Sequence, residues 1–263
     1  MSGGVYIFIA ISGALFLQPQ KQLPLKKLFS RYILRILLAL LIFGTLFALM
    51  EIVFTERSFH FSQITTAFLN MIQNEGWGHM WYLYMLAGLY LITPILKHFT
   101  KNATDAEIVY AISVLFIFNI VFPLVEKYSG IKIGFYIPFV GNPVFFYLFG
   151  YALHAKIVRI PDFVSALMIC LSLLIFLIES VIYTPINTTG VYFEGFTRTA
   201  LFTSLLPIAI FSLALGHCKE EASRFDKVLS ELSFGVYIFH AVFINFIYKV
   251  LHLTPQTMPV PIM

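Results

Sequence analysis

The sequence predicts an all-α fold, a polytopic integral membrane helix bundle with about eight transmembrane helices. Three observations predict it. Hydrophobic residues make up 59% of the chain and charged residues only 11%, whereas a soluble domain carries about a quarter charged residues. Too little polar surface is left for a water-facing shell. Apolar runs recur from one end of the chain to the other. Aromatic residues crowd the start of one such run, at Trp77, Trp81, Tyr82 and Tyr84. Rings with an apolar body and a polar tip settle where a membrane helix meets water. The same composition excludes a soluble ligand-binding or nucleic-acid-binding domain, so the net charge of +4 is a topology signal.

Each span is justified by an apolar run approaching the roughly 20 residues a bilayer requires. The first runs from Gly3 to Leu17. It has no basic region ahead of it, so it does not read as a cleavable signal peptide. At 1.5 Å per residue it is about 22 Å long, short for a span. The second covers about Ile33 to Phe54, the third Met80 to Leu96, and the fourth Ile108 to Val125. Phe139 to Leu153, Phe163 to Tyr183, Thr199 to Leu215 and Ser233 to Leu251 complete the set. No repeat, soluble domain or low-complexity linker interrupts them, and residues 1–263 read as one transmembrane domain.

Lys and Arg orient the bundle. The loops after the first, third, fifth and seventh spans, with the start of the second, hold twelve of them. The other side holds five: Arg57, Lys127, Lys132, Arg198 and Lys249. The positive-inside rule places the richer side in the cytoplasm. Both chain ends then lie outside, and both read as cut. Cys170 sits in an apolar run and Cys218 in a polar loop, so no disulfide is expected, and neither has metal-ligand spacing. The seven histidines are scattered without paired spacing, and no metal site is expected.

A polar group kept among apolar residues is costly and usually faces a bundle interior or a pore. Lys27, Arg31 and Arg35 are spaced four apart, a single stripe just after Pro24. Cations at a helix start oppose the macrodipole. They become favourable if an anion binds there, because free N–H groups and guanidinium forks both suit phosphate. Snorkelling to lipid headgroups is the other reading. His79 shares a helical face with Tyr82, Leu83, Leu86 and Tyr90, and reads either as a functional imidazole or as one more ring of the aromatic belt. His240 lies about two turns inside the last span, deeper than His79, with Tyr237 and Ser233 on its face. A neutral histidine satisfied in the bundle is its alternative.

Glu51 and Glu179 lie near outer helix ends, where either can orient a histidine or simply be solvated. Glu194 stands in an outer loop. Asn187-Thr188-Thr189 is a glycosylation sequon on the outer side. Ser12-Gly13 follows no strand, so it is a close-packing point between helices and not a nucleophile elbow.

His79-Met80-Trp81-Tyr82-Leu83, followed by Tyr90-Leu91-Ile92-Thr93-Pro94, resembles the His-x-Trp-(Phe/Tyr)-Leu…Tyr-Leu-x-x-Pro segment of the acyltransferase-3 family. These are integral-membrane O-acyltransferases. Three further segments are similar to that family, in order: Ile9 to Leu15 around Ser12-Gly13, Phe29 to Ile36 with its basic pair, and Ser233-Phe234-Gly235-Val236-Tyr237-Ile238-Phe239-His240. Each is weak alone; four in order cover nearly the whole chain. The resemblance implies a family bundle with one span more at each end. It also implies an Arg and a catalytic His on the first of those spans, for which this sequence has no counterpart.

The resemblance further implies transfer of an acyl group, usually acetyl, from a cytoplasmic acyl-CoA, here acetyl-CoA, to a hydroxyl of an extracytoplasmic surface polysaccharide or glycolipid. The partners would be the lipid bilayer of the cell (inner) membrane, the acyl-CoA and the glycan. Lys27, Arg31 and Arg35 would take the donor phosphates. His79 and His240 would be the catalytic imidazoles present, His79 at the outer mouth and His240 deeper, and an acyl group carried on a histidine could cross part of the membrane. A transporter or flippase is the alternative of a different class, although Pro123 and Pro207 interrupt spans without two matching halves. An inactive remnant is a third.

Overall fold

The computed structural model describes residues 3–75, 78–134, 141–183, 200–217 and 223–249, and among them every regular element is a helix. In order these are α1 (Gly3–Phe16), α2 (Leu25–Glu56), α3 (Ser62–Ile72), α4 (Trp81–Asn102), α5 (Asp105–Glu126), α6 (Asn142–His154), α7 (Asp162–Tyr183), α8 (Ala200–His217) and α9 (Arg224–Lys249). Among the described residues, α2, α5 and α9 are long and apolar enough to cross a membrane, and α1, α7 and α8 hold shorter apolar stretches. Trp77, Asn187-Thr188-Thr189, Glu194, Arg198, Cys218 and the tail from Pro255 lie outside the described residues, as does the side chain of Glu179.

The chain divides into two compact units, each made of two stretches of sequence: Met1–Leu34 with Met85–Cys218, and Arg35–Tyr84 with Lys219–Met263. The core of the first unit is the packing of α1 on α6. A Cβ at Gly13 would fall 1.8 Å from the Tyr147 carbonyl oxygen, and one at Gly150 would fall 2.1 Å from that of Ala10. Only glycine lets the two backbones approach so closely. The Ser12-Gly13 segment is therefore a packing point, as its sequence suggests.

The same unit finishes the short first helix with side chains. The last carbonyls of a helix have no partner within it. Lys97 Nζ donates to the carbonyls of Phe16 at 3.1 Å and Gln18 at 2.7 Å, and Thr100 Oγ1 donates to that of Leu17 at 2.9 Å. Deeper in, Thr93 Oγ1 and the Tyr147 hydroxyl bond to each other at 2.9 Å. Thr104 and Glu107 close a capping box at the start of α5, which extends that helix three residues upstream of the expected Ile108. Within α5 the winding loosens to a π turn over Ile117–Val121, just ahead of Pro123. Proline has no N–H to give to the ladder, and such a turn absorbs the mismatch.

In the second unit the sequence and the structure part at α3. Between the expected second and third spans, where the sequence analysis places no element, the chain forms an eleven-residue helix. Its buried face is Gln63, Ala67 and Met71, while Phe61, Ile64, Phe68, Leu69 and Ile72 stay exposed. Gln63 Nε2 donates to Glu56 at 2.5 Å at the end of α2, and Met71 reaches back against Gly44. The helix thus doubles back antiparallel along α2. The spacing from Gly44 to Glu56 is twelve residues, about 18 Å at 1.5 Å per residue.

The last helix also differs from expectation, starting nine residues before Ser233. Ser223 explains this: its backbone N–H and hydroxyl donate to the Asp226 carboxylate at 2.9 and 2.7 Å, and its hydroxyl accepts from the Asp226 N–H at 3.2 Å. That reciprocal cap starts a helix wherever it falls, whatever the hydropathy beyond it. Along α2 and α9 the contacts climb together. Arg35 meets Phe234, and Phe43 and Phe47 both meet Phe239. The two helices run side by side in the same direction.

Candidate functional site

The site is built where three elements of the second unit converge: the middle of α2, the turn ahead of α4, and the middle of α9. His79 does not sit on the face of a helix. It lies in the turn that precedes Trp81, where α4 begins. The doubling back of α3 puts it there. Met80, the next residue, reaches the same Gly44 as Met71 does. The His79 ring packs against Phe47 at 5.9 Å between centroids. Phe47 precedes the end of α2 at Glu56 by nine residues, about 14 Å of helix. The imidazole expected at the outer mouth is seated well short of that end.

His240 comes from α9 and meets it. The two imidazole rings stand 5.2 Å apart between centroids and nearly perpendicular, at 78°. They form one pair where the sequence suggests two separate depths. Tyr237 lies between α9 and the turn, its ring 6.0 Å from His79, 5.8 Å from His240 and 5.1 Å from Tyr82. Of the face expected to accompany His79, Tyr82 shares this cluster, while Leu83, Leu86 and Tyr90 are buried. Glu51, one turn beyond Phe47 on α2, is half-buried.

Hydrogen bonds set the chemistry of the pair. His240 Nδ1 lies 2.5 Å from the Tyr237 carbonyl oxygen. A carbonyl only accepts, so Nδ1 carries a hydrogen, and in the neutral ring the lone pair is then on Nε2. His79 in turn bonds to the backbone of Ile238, the next residue along. The Tyr237 hydroxyl donates to the His79 carbonyl. Two neighbouring peptide groups of α9 thus orient both rings. Burial pulls the His79 pKa below the ordinary imidazole value; the nearby His240 adds to this by repulsion, and the Ile238 bond offsets part of it. A lone pair held ready at neutral pH suits a proton acceptor.

The basic stripe is divided. Lys27 and Arg31 belong to the first unit and Arg35 to the second, and all three side chains are exposed. The winding between them is π over Leu28–Ile33. In a straight α-helix, steps of four residues drift about 40° around the axis. The wider π turn offsets part of that drift. Arg35 carries its guanidinium over the Phe234 ring, 4.6 Å from the centroid, an arrangement that leaves the fork's edge open to an anion. Phe234 precedes His240 by six residues, about 9 Å of helix.

Sequence reasoning put Tyr237 on the face of His240, as its i−3 neighbour, but not against His79, and it missed Phe47. Phe47 carries no signal, because nothing local marks it among the other phenylalanines. At the far end of α2 a cleft of about 610 Å³ is lined by Phe54, Thr55, Arg57, Ser58 and Phe59.

Comparison with protein families gives a match to the acyltransferase-3 model, described as an acyltransferase domain, over residues 1–263. No curated protein and no solved structure matches the chain. The helices are apolar and the family model spans every residue; the chain belongs to the acyltransferase-3 family of membrane acyltransferases.

Proposed function

We propose that this protein is a multi-pass enzyme of the cell (inner) membrane, with about eight spans in this chain, that transfers an acetyl group from acetyl-CoA to a hydroxyl of an extracytoplasmic surface glycan. The observation that carries the reading is the histidine pair. Two imidazoles from distant parts of the sequence are brought to 5.2 Å and each is oriented by a backbone group of α9.

A hydroxyl is a poor nucleophile at neutral pH. One imidazole accepts its proton as the oxygen attacks the thioester carbonyl. The carbon–sulfur bond then breaks, the acetyl group stays on the acceptor oxygen, and the imidazolium returns its proton to the departing thiolate. A base so placed contributes about 10²–10⁴-fold in rate. Lys27, Arg31 and Arg35 hold the phosphates of the donor on the basic side. The cleft at the end of α2 is where the acceptor approaches.

Membranes carrying the chain, supplied with radiolabelled acetyl-CoA and surface glycan, test the proposal. His79→Ala and His240→Ala are each expected to lower incorporation by about 10²-fold or more. Arg31→Ala and Arg35→Ala are expected to raise the donor KM about tenfold, the cost of one charge-assisted bond to phosphate. Absence of label in glycan from the unaltered chain would favour transport instead, and an unchanged donor KM would remove the arginines from the phosphate site.

A further inference from the structure

We infer that Tyr237 is the positioning residue of the histidine pair, holding the His79 turn with its hydroxyl and the His240 ring with its carbonyl. The inference rests on the reading of that pair as the base. It goes beyond it by naming the group that makes two unrelated segments act as one site.

Three observations converge on this residue, two of them on its side chain. Its hydroxyl donates to the backbone carbonyl of His79, 158 residues away in sequence. Its own carbonyl accepts from His240 Nδ1 at 2.5 Å. Its ring lies within 6.0 Å of both imidazoles and 5.1 Å from Tyr82. His79 stands in a turn and not in a helix, so no helical ladder fixes its backbone. The tie to α9 supplies that constraint. Without it, the His79 ring and its bond to Ile238 are free to move away from His240, and the tautomer that leaves a lone pair toward substrate is no longer selected.

Tyr237→Phe removes the hydroxyl and keeps the ring, so the test isolates the bond. In membranes supplied with acetyl-CoA, the variant is expected to lose about tenfold in kcat, the worth of one bond left unmade at a partly buried carbonyl, with the donor KM unchanged. A second readout is independent of turnover. Diethyl pyrocarbonate acylates neutral imidazoles, and mass spectrometry of the detergent-solubilised chain is expected to show His79 modified faster in the variant, with the exposed His60 and His217 unaltered. Unchanged kcat together with unchanged His79 modification overturns the inference. So does faster modification at all three histidines, which would make the hydroxyl a general stabiliser of the fold. If the unaltered chain transfers no acetyl group, the reading of the pair as a base fails, and the modification rates alone decide whether Tyr237 positions it.

Discussion

A protonated His79 would face two adverse conditions at once, partial burial and the second imidazole 5.2 Å away, offset in part by its bond to the Ile238 backbone. Its pKa is lowered, by burial first and by His240 second. Between the lowered value and about 6.5, the ordinary imidazole pKa, the unfolded chain binds a proton that the folded chain refuses. Stability tied to this residue is therefore fully present above about pH 6.5 and is lost as pH falls toward the folded value. Titration of isotope-labelled histidine in the solubilised chain is expected to place His79 below the ordinary range. His240→Asn, which removes the like charge, is expected to move it upward. A His79 titrating at or above 6.5 in the unaltered chain would contradict the burial seen here.

Helix packing depends on a few residues whose size, more than their polarity, is decisive. Gly13 and Gly150 face backbone carbonyl oxygens at 1.8 and 2.1 Å from where a Cβ would sit, so neither α1 nor α6 can accept even a methyl group without moving. Gly13→Ala or Gly150→Ala is expected to cost about 1–3 kcal/mol or more, read as a lower thermal midpoint in detergent. Gly235, in α9, has nothing within 4 Å of its Cβ position. Its replacement by Ala is expected to leave the midpoint unchanged or raise it, since glycine costs about 1 kcal/mol in a helix interior. If all three changes behaved alike, the close approach of α1 and α6 would not be what stabilises the first unit. The π turn over Leu40–Gly44 belongs to the same scale. It resets the rotation of α2 within the second unit, and with it which residues present to α3.

For the whole molecule, the distribution of Lys and Arg makes the strongest demand. The start of α2 carries Lys26, Lys27, Arg31 and Arg35, and the start of α9 carries Arg224 and Lys227; the two helices run in the same direction from those starts. Single cysteines at position 31 and at position 57, in a chain without its own two, are expected to react with impermeant maleimide from opposite sides of the membrane. Reaction of both from one side would end the two-compartment reading of donor and acceptor. Each unit is assembled from segments remote in sequence, so truncation between Tyr84 and Met85 is expected to remove part of both units.

Read by itself, the sequence determined the class of molecule and its family. Hydropathy adds up residue by residue along the chain, and the four family segments are local patterns, so both survive without knowledge of contacts. Among the described residues several helix positions came close for the same reason, failing at α3, at Ser223 and at the start of α2, which begins at Leu25 just after Pro24, eight residues before the expected Ile33. The partnership of His79 with His240, and the roles of Tyr237 and Phe47 in it, were decided only by the tertiary structure. Gly44 leaves room for Met71 and Met80, α3 therefore folds back along α2, and that return brings the turn of His79 against α9. A contact between residues so far apart depends on which helix faces pack, and no single stretch of sequence carries that information.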